Sequence, residues 1–187
     1  MRKDFNFLKN YFNIFKSNIA NEDIIKDLIS LKSSIVKNKK NNLVIFGNGG
    51  SAAIASHFAI DMTKNAKIKT MTFNDSSLIT CLSNDYGYEN WISKTVEFYL
   101  TKNDILILVS CSGESKNLIN AIKMARKKKI RKIVTFTGCK KNNTLSRMAD
   151  LSFWVNLNSY NIIENIHQFY LLSLVDMIIG KSEYPPN

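Results

Sequence analysis

The sequence predicts an α/β fold: a doubly wound, five-stranded parallel sheet flanked by helices, preceded by N-terminal helices. From residue 43 onward, apolar stretches of strand length alternate with stretches of helical periodicity, which is the pattern of successive βαβ units. The stretches "ILILV" and "IVTF" are apolar and rich in β-branched residues, as expected of strands buried on both faces. Most of the seven glycines come directly after a predicted strand. Open α/β sheets bind ligands at that edge.

The elements follow from periodicity and capping. "FNFLKNYFNIF" and "DIIKDLISLKSSIV" repeat apolar residues at helical spacing, so residues 1–40 are predicted to form an N-terminal helical segment. Asn21 is the predicted cap of the second helix, with Glu22 and Asp23 in its first turn. The α/β domain is assigned to residues 41–182. Its predicted strands are 43–46, 68–73, 105–110, 132–137 and 151–155, and its predicted helices are 51–63, 88–99, 114–128, 143–148 and 160–179. Residues 181–187 are predicted to be a frayed end.

The composition excludes several classes of protein. A chain of 187 residues fits one domain with a single core. It contains no apolar run of about 18 residues, so no membrane span is expected, and its start lacks the apolar core of a signal peptide. The three cysteines are far apart and lack metal-type spacing. This usage predicts a reducing, cytoplasmic setting without disulfide bonds.

The net charge of +11 comes from 26 basic and 15 acidic residues. One interpretation is a nucleic-acid or other anionic partner. The other is a solvated lysine-rich surface, since "KNKKNN" (37–42) and "RKKKIRK" (126–132) lie between a predicted helix and the next strand. The second interpretation is favoured, so no nucleic-acid partner is expected.

The stretch "FGNGGS" (46–51) ends a predicted strand and opens a helix. Glycines allow the backbone to turn tightly, and the amides at a helix N-terminus attract negative charge. A Walker A loop is excluded because no Gly-Lys-Ser/Thr follows. Gly47-x-Gly49-x-x-Ala52 matches the dinucleotide fingerprint superficially, with Asp75 as a conceivable ribose ligand. A turn that binds a sugar phosphate is the other hypothesis.

Two more polar segments follow predicted apolar stretches. "LVSCSGES" (108–115) carries the hydroxyls of Ser110, Ser112 and Ser115 around Gly113. Hydroxyls and backbone amides can hold a phosphate monoester without a lysine, although such a loop can also do no more than cap the next helix. "SNDYGYE" (83–89) is predicted to be a turn, either lining the site or forming a local Asx-type turn.

The motifs "GNGGSAA…HF", "SNDYGYE" and "S-x-S-G-x-S-x-N", in this order and spacing, resemble the sugar isomerase (SIS) domain. Within that family they resemble the phosphoheptose isomerase group, over about residues 40–180. The resemblance implies conversion of sedoheptulose 7-phosphate to D-glycero-D-manno-heptose 7-phosphate or a close relative, for polysaccharide biosynthesis. It also implies a homotetramer with sites at subunit interfaces. The group includes non-catalytic relatives that bind a replication initiator.

The resemblance implies roles for individual residues. Cys111 stands where the family usually has threonine, Asp61 where it has a catalytic, metal-binding glutamate, and Glu164 where it has a glutamine ligand. His57 matches a zinc ligand of the family, so zinc, if present, would be held by His57, Asp61 and Glu164. The implied substrate-binding residues are Asn48, Gly49, Gly50, Ser51, Asn84, Asp85, Ser110, Cys111, Ser112 and Ser115.

Helical spacing adds to this assignment. His57 and Asp61 are four residues apart, hence on one helix face. In the last helix Glu164, His167 and Gln168 are predicted to share a face, and this polar stripe requires partners because unpaired buried polar groups are costly. The remaining residues there are predicted to be core: Ile163, Ile166, Leu171 and Leu174.

The functional hypothesis is an aldose–ketose isomerase that moves a proton between adjacent carbons through an enediol. Such a reaction needs a base and an acid, and the prediction is that Asp61 or Glu164 is the base and His167 the acid. The family's second catalytic histidine aligns with Leu172, which favours an alternative: a non-catalytic SIS protein that binds a sugar phosphate or a protein partner. An NAD-dependent oxidoreductase is the third hypothesis and depends on the glycine match alone.

Overall fold

A computed structural model describes residues 1–183 and confirms the predicted α/β class. All strands are parallel and pair in the order β2-β1-β3-β4-β5. The strands are β1 (Leu43–Gly47), β2 (Thr70–Met71), β3 (Ile105–Ser110), β4 (Lys132–Thr137) and β5 (Leu151–Trp154). The helices are α1 (Arg2–Asn18), α2 (Glu22–Lys37), α3 (Gly50–Lys64), α4 (Ser76–Tyr86), α5 (Trp91–Tyr99), α6 (Lys116–Lys127), α7 (Thr144–Met148) and α8 (Tyr160–Ile179). The end of the predicted frayed tail, 184–187, lies outside the described residues.

The strand order reverses direction between β1 and β3. The chain first adds β2 on one side of β1 and then crosses to β3 on the other side, where Gly47 is in register with Val109. The loops that follow β1 and β3 therefore diverge around a crevice at the carboxyl edge of the sheet, which is where doubly wound folds bind ligands.

Side-chain alternation along the strands divides the core into two layers. In β3, Ile105 and Val109 face a cluster shared with α2, α3 and α8, whereas Leu106 and Leu108 face a cluster shared with α5 and α6. Helix α2 contributes Leu28, Leu31 and Ile35 to the first layer. Helix α2 is therefore part of the core, whereas α1 has no buried residue, and the domain boundary near residue 40 stays a prediction. Asn21 caps α2 as predicted, because its Oδ1 accepts the Ile24 N–H at 3.0 Å.

Two elements between residues 68 and 90 differ from the prediction. The strand predicted at 68–73 is only Thr70–Met71, because this edge strand pairs with β1 at two positions. The segment predicted as a turn at 83–89 begins inside α4, which ends at Gly87 with φ of 84°. Asp75 caps that helix by accepting the Leu78 N–H at 3.0 Å. The carboxylate imagined as a ribose ligand of a dinucleotide is therefore a helix cap.

Helix α8 matches its predicted bounds and its predicted core residues Ile163, Ile166, Leu171 and Leu174 are buried. In residues 1–183 it is the one helix that is long and apolar enough to cross a membrane by length and composition alone. The expectation concerned a continuous apolar run of that length, and α8 is not one, since Glu164, His167 and Gln168 interrupt it. The helix packs against α2, α3 and the sheet, as the core helix of a globular domain does.

Candidate active site

The turn after β1 depends on two glycines. A Cβ at Gly47 would lie 2.7 Å from Ser51 Cβ, so the strand and the first turn of α3 approach too closely for a side chain there. Gly49 has φ of 54°, a conformation that glycine adopts without strain. The turn directs Asn48 and the N-terminus of α3 toward the loop after β3.

The loop after β3 forms the second wall of the crevice. Ser110 Oγ lies 3.2 Å from Ser115 Oγ and accepts the Gly113 N–H at 3.1 Å. A cavity of about 120 Å³ opens between the two loops. We call it the hydroxyl cradle; it is lined by Asn48, Ser51, Val109, Ser110, Cys111, Ser112, Ser115, Tyr160 and Glu164. The structure thus brings together most of the residues that the resemblance assigned to a phosphorylated sugar.

Cys111 is almost fully buried in this loop, with its Sγ 3.9 Å from the Tyr160 carbonyl oxygen. Burial, with a smaller contribution from the Glu164 carboxylate, raises the pKa of the Cys111 thiol to about 12. The thiol is therefore neutral at physiological pH, and it is a weak hydrogen-bond donor where a threonine would offer a hydroxyl.

A second cavity of about 330 Å³ lies beside the cradle, and we call it the His57 cavity. It is lined by Gly50, Ala53, Ile54, His57, Glu164, Asn165 and Gln168. Glu164 lines both cavities. Its carboxylate packs over Gly50, since a Cβ there would lie 2.7 Å from Glu164 Cδ. The missing side chain of Gly50 is therefore what admits the Glu164 carboxylate between the cavities.

Both ring nitrogens of His57 have partners. Nε2 lies 3.2 Å from Asp61 Oδ2, and Nδ1 lies 3.4 Å from Gln168 Nε2. Asp61 lines neither cavity, and its other oxygen accepts a hydrogen bond from Asn65 Nδ2 at 3.3 Å. The structure thus places His57 at the cavity and Asp61 behind it.

The sequence and the fold match one family. The family described as SIS domain matches residues 7–138. A phosphoheptose isomerase from Hamiltonella defensa is 34% identical over 177 residues, which is 91% of this chain and 84% of the relative. A probable phosphoheptose isomerase from Thermoplasma acidophilum is 36% identical over 171 residues, which is 88% of this chain and 91% of the relative.

The chain belongs to the SIS domain family, in its phosphoheptose isomerase group. Solved structures agree on the fold. A phosphoheptose isomerase from Neisseria gonorrhoeae superposes with a TM-score of 0.84 at 24% identity, covering 95% of this chain and 98% of that one. One from Francisella tularensis gives 0.85 at 23% identity, covering 95% and 99%.

In this SIS domain His167 lies in the core, away from both cavities. It is 0% exposed, its Nε2 lies 3.1 Å from the Thr137 carbonyl oxygen, and its Nδ1 has no hydrogen-bond partner among the described residues. Burial lowers the pKa of the imidazole to about 4, although the Thr137 carbonyl opposes this shift. The placement does not support the predicted role of His167 as the acid, because the ring faces the sheet and is uncharged at neutral pH.

The predicted polar stripe on α8 also divides in two. Glu164 and Gln168 line the His57 cavity, whereas His167 packs edge-on against Phe136 with ring centroids 5.9 Å apart. Successive helical residues differ by about 100° around the axis, so positions i+3 and i+4 fall on opposite sides of position i. The three residues span about 100° of the helix surface, and His167, at one edge of that arc, faces the core and not the His57 cavity.

Three further predicted positions lie apart from the cavities. Asn84 and Asp85 are exposed in the last turn of α4, where Asn84 Nδ2 donates to Asp85 Oδ1 at 3.1 Å, and neither lines a cavity described above. Leu172, aligned with the family's second histidine, lines a groove between α1 and α8 that shares Asn165 and Gln168 with the His57 cavity. Any role of these positions in the site stays a prediction.

Of the predicted zinc ligands His57, Asp61 and Glu164, only His57 and Glu164 line the His57 cavity. Within residues 1–183 no group of three or more His, Cys, Asp or Glu is placed to hold a metal ion. Both nitrogens of His57 already have partners, and Asp61 is turned toward His57. The residues as placed do not fit a zinc ion, so no step below depends on one.

Sequence reasoning missed two residues that contact the site. Asn117 and Tyr88 both hydrogen-bond the side chain of Asn48. The signal for Asn117 was present, since it is the last residue of the S-x-S-G-x-S-x-N motif. Tyr88 lies inside the "SNDYGYE" motif, but only the three-dimensional structure brings it to the turn after β1.

Proposed function

We propose that this SIS domain chain is a phosphosugar isomerase that interconverts sedoheptulose 7-phosphate and D-glycero-D-manno-heptose 7-phosphate, or a close relative. The observation that carries the proposal is the position of Glu164, which lines both the hydroxyl cradle and the His57 cavity. A base must lie between the group that holds the phosphate and the group that faces the reacting oxygen. The relatives named phosphoheptose isomerase support the choice of substrate.

The cradle suits a phosphate monoester. Ser110, Ser112 and Ser115 offer hydroxyl donors, and the N-termini of α3 and α6 bound the same crevice. Helix N-termini carry free N–H groups and a partial positive charge, which favour an anion. A phosphate held there leaves the carbonyl end of an extended sugar free to reach the His57 cavity.

The proton transfer is assigned to Glu164. In the ketose-to-aldose direction its carboxylate removes a proton from C1, the electron pair forms the C1=C2 double bond, and the C2 oxygen takes a proton to give the enediol. The C1 hydroxyl then gives up its proton as C1=O forms, and Glu164 returns its proton to C2. We assign the acid to His57: its Nδ1 can donate to the carbonyl oxygen when that oxygen takes the place of Gln168 Nε2, while Asp61 holds the ring through the 3.2 Å contact at Nε2. A positioned acid or base of this kind contributes about 10²- to 10⁴-fold to a rate. We therefore propose His57 in place of His167 as the acid, and Asp61 as a positioning residue.

We also propose an assembly and a location for the chain. Helix α1 has no buried residue and exposes Phe5, Phe7 and Phe12, which supports a homotetramer that covers this face with other copies of the chain. The three cysteines are free, which suits the cytoplasm. Zinc stays a prediction from the resemblance, and metal analysis of the purified protein tests it.

The test is NMR of the protein incubated with sedoheptulose 7-phosphate in deuterated water, with and without zinc. We expect the aldose to form and deuterium to enter beside the carbonyl, and we expect Glu164→Gln to abolish both. Glutamine keeps the size of the side chain and cannot accept the proton. Binding of the sugar phosphate without exchange would favour the alternative of a non-catalytic sugar-phosphate sensor, which the loss of the family's histidine at Leu172 supports.

A further inference from the structure

The side chains of Asn48 and Asn117 form a reciprocal amide pair at the edge of the hydroxyl cradle. Asn48 Nδ2 donates to Asn117 Oδ1 at 3.0 Å, and Asn117 Nδ2 donates to Asn48 Oδ1 at 2.8 Å. Asn48 follows β1 and lines the cradle, whereas Asn117 lies in the first turn of α6 and is only 3% exposed. The pair therefore joins the two loops that diverge around the crevice.

A backbone amide fixes which way both side chains face. The Leu118 N–H donates to Asn117 Oδ1 at 3.0 Å and also to the Ser115 carbonyl oxygen at 3.1 Å. An N–H can only donate, so turning the Asn117 amide over would set its NH₂ group against another donor. The oxygen of Asn117 must face Leu118 and Asn48 Nδ2, and the orientation of Asn48 follows from that of Asn117.

Tyr88 completes the arrangement. Its hydroxyl donates to Asn48 Oδ1 at 3.3 Å, so this oxygen receives two hydrogen bonds and both of its lone pairs are used. One N–H of the Asn48 amide remains. Asn48 therefore offers the cradle a donor, and it suits a ligand oxygen with a free lone pair, such as a hydroxyl or carbonyl oxygen of a sugar.

We propose that Asn117 is a positioning residue of this site: it holds Asn48 so that an N–H faces an oxygen of the bound sugar. The proposal rests on the proposed function, because it assumes that a phosphorylated sugar occupies the cradle. Within residues 1–183 the Asn117 side chain hydrogen-bonds only to Asn48 and to the Leu118 backbone. Its buried amide thus has one target in the site, and its effect on binding must pass through Asn48.

The test is a double-mutant cycle on binding. Sedoheptulose 7-phosphate and inorganic phosphate are each titrated into the unmodified chain, Asn117→Ala, Asn48→Ala and the double variant. We expect Asn117→Ala to weaken sugar-phosphate binding about tenfold, as the loss of one hydrogen bond does, and to leave inorganic phosphate within about twofold. The double variant should match Asn48→Ala alone, because the two residues act as one unit.

The outcomes separate the two proposals. Two results would overturn the positioning role of Asn117 and leave the proposed function standing. One is unchanged sugar-phosphate affinity in a folded Asn117→Ala variant, and the other is additive losses in the double variant. A weakening of both ligands would mean that Asn117 supports the whole loop and does not position Asn48. An unmodified chain that binds neither ligand overturns the proposed function and the positioning role with it.

Asn117→Asp serves if the alanine variant does not fold. It keeps the shape and the acceptor for the Leu118 N–H, but it sets a second oxygen against Asn48 Oδ1. The Asn48 side-chain amide signals in a ¹⁵N spectrum report the pairing without any substrate. We expect these signals to be shifted and slow to exchange in the unmodified chain and to lose both properties in either variant; unchanged signals would overturn the pairing.

Discussion

His57 Nε2 lies 3.2 Å from Asp61 Oδ2, one helical turn further along α3. The pair resembles an exposed ion pair of the kind that contributes little to stability, but its histidine lines a cavity that also contains Glu164. Asp61 lines neither cavity, so its contact with the reaction passes through His57. A substitution of Asp61 should therefore change catalysis and leave the stability of the fold nearly unchanged.

We expect Asp61→Asn to lower kcat at least about a hundredfold, the lower range for losing an oriented acid or base. The thermal midpoint should stay within a few degrees, because His57 is half exposed and the pair is on the surface. Glu22→Gln is the matched control, since it removes an exposed i, i+4 pair with Lys26 on α2 and should leave kcat unchanged. Full turnover by Asp61→Asn would remove Asp61 from the mechanism.

The contact between Gly50 and Glu164 gives a second substitution that should affect catalysis more than stability. A Cβ at Gly50 would meet the Glu164 carboxyl group, and the backbone there does not have a positive φ, so alanine is tolerated by the backbone but displaces the carboxylate. We expect Gly50→Ala to lower kcat about a hundredfold, since a shift of about 1 Å in a reacting group costs that much. Kinetics and thermal unfolding of the same preparation check it.

The control for that variant is Gly138→Ala. Its Cβ would meet Ile163 Cδ1 at 2.7 Å, so it crowds the buried residue next to Glu164 on the core side of the same helix and does not meet the carboxylate itself. It should destabilise the fold more than Gly50→Ala while reducing kcat less. The reverse order of the two effects would show that Glu164 tolerates displacement and is not the base.

Cys111 gives a prediction about the cradle. Its thiol is neutral and a weak donor, because burial raises its pKa to about 12. Cys111→Thr should tighten the binding of inorganic phosphate by about three- to tenfold, the value of one added hydroxyl hydrogen bond. Calorimetric titration measures it, with the exposed Cys81→Ser as a control on α4 that changes nothing. Equal affinity in the two variants would mean that the phosphate does not reach this loop.

The parts of the fold predicted well are those that one local signal determines. Strands β3 and β4 are rich in β-branched and apolar residues and are buried on both faces, and α8 carries a full apolar face, so their bounds match the prediction. Strand β2 was predicted longer than it is, because its bounds are set by two pairings with β1 and not by its own pattern. Helix α4 was missed because only Leu82 of it is buried, which leaves little periodicity to detect.

The candidate site divides in a similar way. The cradle could be predicted because polar residues that end neighbouring parallel strands meet at one edge of the sheet. The role of His167 could not be predicted, since its spacing of three residues from Glu164 does not say whether it faces the cavity or the sheet. The partners of Asn48 were hidden for another reason: Tyr88 and Asn117 lie 40 and 69 positions away along the chain.

His167 predicts a dependence of stability on pH. Its pKa is lowered from 6.5 to about 4 in the folded chain because the charged form would lose its hydration in the core. Between these values the unfolded chain binds a proton that the folded chain does not, so stability rises with pH in this window. Above pH 6.5 the imidazole is neutral in both states and the neutral His167 costs no stability. As the pH falls from 6.5 to 4 the free energy of unfolding decreases, and below pH 4 His167 changes it no further.

We therefore expect the unmodified chain to lose about 2 kcal/mol more stability between pH 7 and pH 5 than His167→Gln does, at about 1.4 kcal/mol for each pH unit below 6.5. Glutamine can still donate to the Thr137 carbonyl oxygen but does not titrate in this range. Denaturant unfolding at the two pH values measures the difference. His57→Gln is the matched control, because it removes the only other histidine, which is half exposed, and should keep the full loss. Equal losses in all three proteins would show that His167 binds a proton in the folded state and is not held neutral by the core.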